Sequence, residues 1–382
     1  MDQACDRLED PGWTEIFVIK VASRCNLACS YCYMYQHADQ SWRQQPKLIS
    51  RDTIRAVAYR LEEHARTMRS QSLLVIAHGG EPLLHPDLDF FFGEISRSVK
   101  SRHVGFALQT NGTLLTSDKI SILQKYNVGV GFSVDGTRET HDRIRVLHSG
   151  EGSYDKVVQG LNLMRNSAPE LVGSILSVIN PRTNPTEILD AIESLGVERG
   201  DFLLPELNHD TMGNSGIQAG ETGTWLIKLF NAWSEREGSI YIRTFLLLID
   251  LLLGGQRGTD QFGAHTVGAL AIETDGSYHI ADALKTTFEG ASRTGMSVFD
   301  SPVRSVEQLP LARSFRDKGS GACEECIRCE YFPVCGGGSP INRYSSSLGF
   351  AQPSVYCTDL KLLIGHIRDY LARVRPDCKL TI

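Results

Sequence analysis

The chain has 382 residues, of which 41% are hydrophobic and 22% charged, with 39 basic and 45 acidic side chains and a net charge of −6. That length asks for two domains or one large barrel with an appendage, and the mild charge balance, without a basic run, excludes a nucleic-acid surface. No apolar run reaches the ~18 residues of a membrane span, and the acidic, polar start "MDQACDRLEDPGW" is no export signal.

A chain without an export signal is expected in the reducing cytoplasm. There its ten cysteines are better explained by metal binding or catalysis than by disulfides.

"TEIFVIKVA", Thr14 to Ala22, is apolar, β-branched and of strand length. A cysteine-bearing loop and a polar segment follow. Arg51 to Met68 has helical spacing at Ile54, Val57, Ala58 and Leu61, with Ser50 as its N-cap. Strand and helix then alternate. "SLLVIAHGGEP", "HVGFALQTNG", "VGVGFSVDG", "LVGSILSVIN" and "GDFLLPEL" read as strands. "PDLDFFFGEISRSV", "SDKISILQKY", "SYDKVVQGLNLMRN" and "NPTEILDAIESLG" read as helices.

Continuous apolar strands between amphipathic helices imply a parallel sheet covered by helices. About six such units fit between Thr14 and Leu207. The expected fold class is therefore α/β, a partial (β/α)6 TIM-like barrel whose functional groups gather at the C-terminal strand ends. Residues 1–220 are assigned to the barrel and 221–257 to bridging helices, with "TFLLLIDLLLGG" as a buried core helix. Residues 258–382 are assigned to a small metal-stapled domain, in which Asp275-Gly276 marks a hairpin.

Cys25, Cys29 and Cys32 follow the first strand directly, and so are expected at the barrel mouth. Four thiolates would saturate a zinc ion or a four-iron cluster. Three on a four-iron cluster leave one iron open, as a catalytic site requires. A second group holds Cys323, Cys326, Cys329, Cys335 and Cys357, and Cys5 and Cys378 stand apart as incidental. Alone, "GGEP" and "QTNG" are turns, and the C-x2-C pairs of the second group are common in zinc sites.

The C-x3-C-x-Φ-C spacing, with Tyr31 as Φ, resembles the signature of the radical S-adenosylmethionine (SAM) enzymes. The resemblance implies a [4Fe-4S] cluster on Cys25, Cys29 and Cys32, whose open iron chelates SAM, and formation of a 5′-deoxyadenosyl radical. "HGGEP" is similar to the family's glycine motif, placing Gly79, Gly80 and Glu81 at the SAM amino group. "QTNG" adds Asn111, "SVDG" Ser133 and "HDRIR" Arg145, whose guanidinium suits the SAM carboxylate.

"CEECIRCEYFPVCGGG" resembles the SPASM (twitch-like) extension of peptide-modifying members. It implies one auxiliary [4Fe-4S] cluster on Cys326, Cys329, Cys335 and Cys357. The usual second auxiliary cluster is not expected, because Ser339 and Ala281 stand where two of its ligands would be. Cys323 is either free or a competing ligand. Asp282 matches the aspartate that serves as general base in sulfatase-maturing relatives.

From Trp13 to Leu363 the chain looks like the cyclophane-forming radical SAM/SPASM maturases of the Fxs type. Such enzymes join an aromatic ring carbon to a Cβ in a ribosomal precursor peptide, so that two hydrogens leave. By that resemblance the auxiliary cluster takes the electron and Asp282 the proton, and a small redox protein is the donor. About twelve residues precede the first strand, so no separate peptide-recognition domain is expected ahead of the barrel. The alternatives are a sulfatase-type formylglycine-forming maturase and a non-catalytic iron–sulfur or zinc protein that binds a partner.

Overall fold

A computed structural model describes residues 12–266 and 268–382; Cys5 lies outside them. Six parallel strands form the body: β1 (Thr14–Ala22), β2 (Ser72–Gly79), β3 (His103–Thr110), β4 (Val128–Ser133), β5 (Val172–Val178) and β6 (Arg199–Leu203). They pair in chain order, β1 to β6. The connecting helices Arg51–Ala65, Leu88–Ser98, Ser117–Lys125, Tyr154–Ser167 and Pro185–Ser194 cover one face. This is the α/β partial barrel that the alternation implies.

The helix starts follow from capping. Ser50, Asp87, Thr116, Thr137 and Asn184 each accept a hydrogen bond from a backbone N–H of the first turn, which satisfies one of the donors a helix leaves unpaired at its start. The first helix ends at Ala65, three residues short of the expected Met68. Along β1 the side chains alternate. Phe17, Ile19 and Val21 pack beneath the helices, whereas Thr14, Ile16 and Val18 face an interior cavity.

The strand series continues past β6. The stretch read as bridging helices contains helices Glu221–Ser234 and Arg243–Leu252 with a two-residue strand between them, β7 (Tyr241–Ile242), which pairs parallel with β6. At the other edge β8 (Gly268–Ile272) pairs parallel with β1. The antiparallel strands β9 (Ser277–His279) and β10 (Arg293–Ser297) follow. The β8–β9 turn is the expected Asp275-Gly276 hairpin, with Gly276 at φ +87°. One ten-stranded open sheet results.

The cysteine-rich end is held against the β6 exit loop. Tyr356 donates to the Pro205 carbonyl at 2.9 Å and the Asn342 amide to the Leu207 carbonyl at 2.7 Å. The last helix, Cys357–Val374, packs on Glu221–Ser234, where Gly223 N–H donates to Asp359 at 2.7 Å. No helix among the described residues is long and apolar enough to cross a membrane.

Candidate active site

The loop after β1 is shaped by its neighbours on both sides. Gly80 N–H donates to the Ala22 carbonyl at 2.8 Å and Glu81 N–H to that of Arg24 at 3.0 Å. On the other flank Ala28 N–H reaches Val146 O at 2.8 Å. These bonds spread the three cysteines around one cavity of about 1120 Å³, open to solvent. Cys25, Cys29, Tyr31, Cys32, Gly79, Gly80, Asn111, Ser133 and Arg145 all line it.

Of the residues expected there, only Glu81 stands back. It is fully buried, and its carboxylate accepts from Thr110 Oγ1 at 2.6 Å, Asn111 N–H at 2.8 Å and Leu83 N–H at 3.0 Å. It fastens the end of β2 to the end of β3. The glycines before it are needed for the loop's own packing. A Cβ on Gly79 would lie 2.0 Å from the Ala22 carbonyl, and one on Gly80 would lie 2.4 Å from that of Arg24.

The thiols sit in an environment that favours a bound metal group over free thiolates. Burial pushes Cys25 up to about 12 and raises Cys29 and Cys32 as well. Donors nonetheless point at the sulfur of Cys25: Leu27 N–H at 3.4 Å and the Asn111 amide at 3.7 Å. Among the described residues, no three acidic, histidine or cysteine side chains close on a single metal-ion position. The three thiols border one cavity. A cluster that takes one thiolate per corner fits this arrangement.

Across the cavity from the triad, Arg145 is 9% exposed and its Nε has no hydrogen-bond partner among the described residues. Burial works against its charge, but Tyr31, Cys29 and Asp135 outweigh burial and hold it above the usual range. Tyr31 donates to Asp135 at 2.7 Å and accepts from Arg145. Asp135 is fixed in turn by Val178 N–H at 3.0 Å. Behind them His141 accepts at Nδ1 from Asp135 N–H at 3.3 Å. Its Nε2 lies 2.9 Å from Ser153 Oγ, which donates to the Arg145 carbonyl at 2.6 Å. The arginine is therefore presented with an unused N–H toward the cavity, as recognition of a carboxylate requires.

Two outcomes follow. Arg145→Lys loses the planar fork and is expected to weaken SAM binding about tenfold to a hundredfold, the equivalent of about 1.5–3 kcal/mol for a charged hydrogen bond, as read by equilibrium dialysis of the reconstituted protein. Burial, then the Arg145 charge, lowers His141 to about 3. The unfolded chain takes up this proton near pH 6.5 while the fold refuses it. Stability due to His141 is complete above pH 6.5 and lost as pH falls toward 3, with a slope of up to about 1.4 kcal/mol per pH unit. His141→Gln should flatten the fall in melting temperature between pH 6.5 and pH 5.

A second chamber, of about 1560 Å³, adjoins the first, and Tyr33 and Glu206 line both. Asp282 stands on its wall beside Ala281. Asp282 Oδ2 forms an ion pair with Lys20, a fully buried lysine of β1 whose Nζ also lies 3.1 Å from His78 Nδ1 and 3.6 Å from Met34 Sδ. Burial alone would raise Asp282, but Lys20, Lys285 and His78 hold it well below the carboxylate range. Its Oδ1 has no hydrogen-bond partner among the described residues. Glu206 is pushed up to about 8 by burial and by Asp260. Sequence reasoning missed Lys20, Asp135 and Glu206. The signal for Lys20 is a lone lysine inside the apolar run "FVIKVA".

Cys326, Cys329, Cys335 and Cys357 together line a third cavity, of about 400 Å³. Cys323 is not on its lining, though it contacts Cys326. Ser339 is buried with an unpartnered Oγ.

Comparison with known proteins agrees with this geometry. Residues 19–195 match the model of the Radical SAM superfamily. The chain is 25% identical to a serine-type anaerobic sulfatase-maturating enzyme of Bacteroides thetaiotaomicron, over 93% of this chain and 90% of that protein. It is 24% identical to a cysteine-type enzyme of Clostridium novyi, over 89% and 91%. Its fold is similar to the structure of native anSMEcpe with bound AdoMet, at a TM-score of 0.80 and 21% identity, covering 94% of this chain and 99% of that one. It is also similar to SuiB of Streptococcus suis bound to precursor peptide SuiA, at a TM-score of 0.63 and 15% identity, covering 90% and 76%. Residues 19–195 thus match the Radical SAM superfamily model, and over nearly its whole length the chain has the fold of the sulfatase-maturating enzyme structure.

Proposed function

We propose that the chain is a peptide maturase that joins an aromatic ring carbon to a neighbouring Cβ in a ribosomal precursor peptide. On this reading Cys25, Cys29 and Cys32 hold the SAM-binding cluster. Asn111, Ser133, Tyr31, Arg145 and the Gly79–Gly80 backbone border SAM, and Cys326, Cys329, Cys335 and Cys357 hold an auxiliary cluster. When bound, the first cluster and SAM supply a 5′-deoxyadenosyl radical, which takes a hydrogen atom from carbon.

One observation carries the reading: the chamber next to the SAM cavity has a largely apolar wall of Ile16, Val18, Leu270, Ile280, Phe315 and Ile341, with charged side chains, among them Glu206, Arg243 and Asp282, also on its lining. Such a chamber suits an aromatic side chain. Asp282 is ionised and offers Oδ1 as proton acceptor, and Lys20 keeps it in place. Lys20 also faces Met34 of the cysteine loop, so the base is anchored to the same loop that carries the triad. The product lacks one hydrogen taken as an atom and one lost as a proton and an electron, and Asp282 receives the proton.

A second reading, formylglycine formation, is favoured by the named activity of the sulfatase-maturating relatives. The SuiB structure with its precursor peptide supports a peptide as the partner of either reaction. The experiment is an anaerobic incubation with SAM, reductant and a short peptide, containing an aromatic residue, that is encoded beside the chain. Oxidation of serine to formylglycine also removes two hydrogens, so mass alone does not separate the readings. A product lighter by two hydrogens, resistant to fragmentation between the joined residues and unreactive to a hydrazide, supports the crosslink. A hydrazide adduct at one residue contradicts it.

A further inference from the structure

The loop after Cys335 has a conformation that only glycine adopts readily. Gly336, Gly337 and Gly338 stand in succession at φ +61°, +75° and +71°. Arg343, 1% exposed, holds all three carbonyls: Nη2 donates to Gly336 at 2.7 Å and to Gly338 at 3.2 Å, and Nε donates to Gly337 at 2.9 Å. Its Nη1 reaches the Gly321 carbonyl at 3.2 Å. With the carbonyls gathered on the arginine, Gly338 N–H donates to the Cys335 carbonyl at 3.1 Å, and the loop's N–H groups lie on the side of the Cys335 thiol, where they favour its thiolate.

A second cation lies alongside. Lys318 is fully buried beside Cys335, and its ammonium donates to the Asp260 carbonyl at 3.2 Å. No carboxylate oxygen is within ion-pair distance of either cation among the described residues. The buried Arg343 guanidinium, Lys318, which burial pushes down to about 7, and the N–H groups of the glycine loop thus lie beside a thiol set whose charge becomes more negative on reduction. Charge, hydrogen bonds to sulfur and burial are the terms by which a protein sets a cluster's potential, and the first two here favour the reduced state.

We propose that Arg343, through its charge and the Gly336–Gly338 loop that it ties down, raises the reduction potential of the group held by Cys326, Cys329, Cys335 and Cys357, so that this set receives the electron released when the crosslinked ring regains its aromaticity. On the proposed crosslinking, the cyclised peptide radical would lose one proton to Asp282 and one electron to the group that these four cysteines would hold, which balances the step. The identity of the electron's source rests on the proposed crosslinking; the tuning of the potential does not.

The test is a redox titration, followed by electron paramagnetic resonance, of the full chain carrying Cys25→Ala, Cys29→Ala and Cys32→Ala, so that only the auxiliary set is loaded. No substrate is present, so failure of the crosslinking reading leaves the measurement intact. About four irons per chain are expected; an iron-free protein would overturn the proposal at its ligand set. Arg343→Met should lower the midpoint potential, and Arg343→Lys, which keeps the charge but cannot span three carbonyls, should lower it less. Lys318→Met, which leaves the loop tied, should also lower it. Unchanged midpoints in the loaded variants would overturn the proposal. If Arg343→Met retains no iron, Arg343→Gln, which keeps part of the carbonyl bonding without the charge, is titrated in its place, and an unchanged midpoint there overturns the proposal.

Discussion

Replacing Cys29 with alanine should abolish deoxyadenosine formation and remove about four irons per chain, leaving those of the auxiliary set. Cys29 is the most enclosed of the triad at 8% exposure, and of the three it lies nearest the Arg145 guanidinium in electrostatic terms. Two remaining thiolates cannot hold a cluster that needs three protein corners with one left for SAM. The fold should persist, because no backbone bond of the loop depends on the sulfur of Cys29 and the core of β1 lies on its other face. Iron analysis and chromatography of the nucleoside product check this outcome. Retention of both irons and turnover would place the cluster elsewhere.

Asp282→Asn should separate SAM cleavage from product formation. Asparagine fills the same space and keeps a hydrogen-bonding oxygen, but it cannot take a proton at the pH of the reaction. General-base catalysis contributes typically about 10²–10⁴-fold. On the proposed crosslinking, crosslinked peptide falls by about 10²-fold or more, while deoxyadenosine continues to form. Lys20 loses its counter-charge in this variant, and a buried unpaired cation is costly. Iron content and melting temperature are therefore measured beside turnover. A variant that folds, loads iron and makes crosslinked peptide at the original rate would show that the proton leaves by another group.

Much of this site was legible in the chain because its signals are local. The cap residue Ser50, the glycines at the end of β2 and the close spacing of Cys25, Cys29 and Cys32 each act within a few positions of themselves, and the structure places them where that local chemistry requires. What was not legible is pairing across distance. β8 joins β1 across some 250 residues of chain, and nothing in "GALAI" specifies that neighbour. Tyr241–Ile242 is too short to give a strand pattern, and it pairs only because helix Glu221–Ser234 delivers it to the edge of β6.

The same holds for the charges. Lys20 and Asp282 lie far apart in the chain, and their meeting depends on the β1–β8 contact. Glu81 shows the opposite difficulty. Its place in a glycine motif suggests a ligand contact, yet three protein donors saturate it.

The central claim is that the triad leaves a coordination position beside Arg145 that SAM fills. The direct measurement is electron paramagnetic resonance of the anaerobically reconstituted, reduced protein before and after addition of SAM. The expected result is a changed signal from the cluster of Cys25, Cys29 and Cys32, one that Arg145→Lys brings on only at higher SAM concentration. An identical spectrum at saturating SAM would contradict the account.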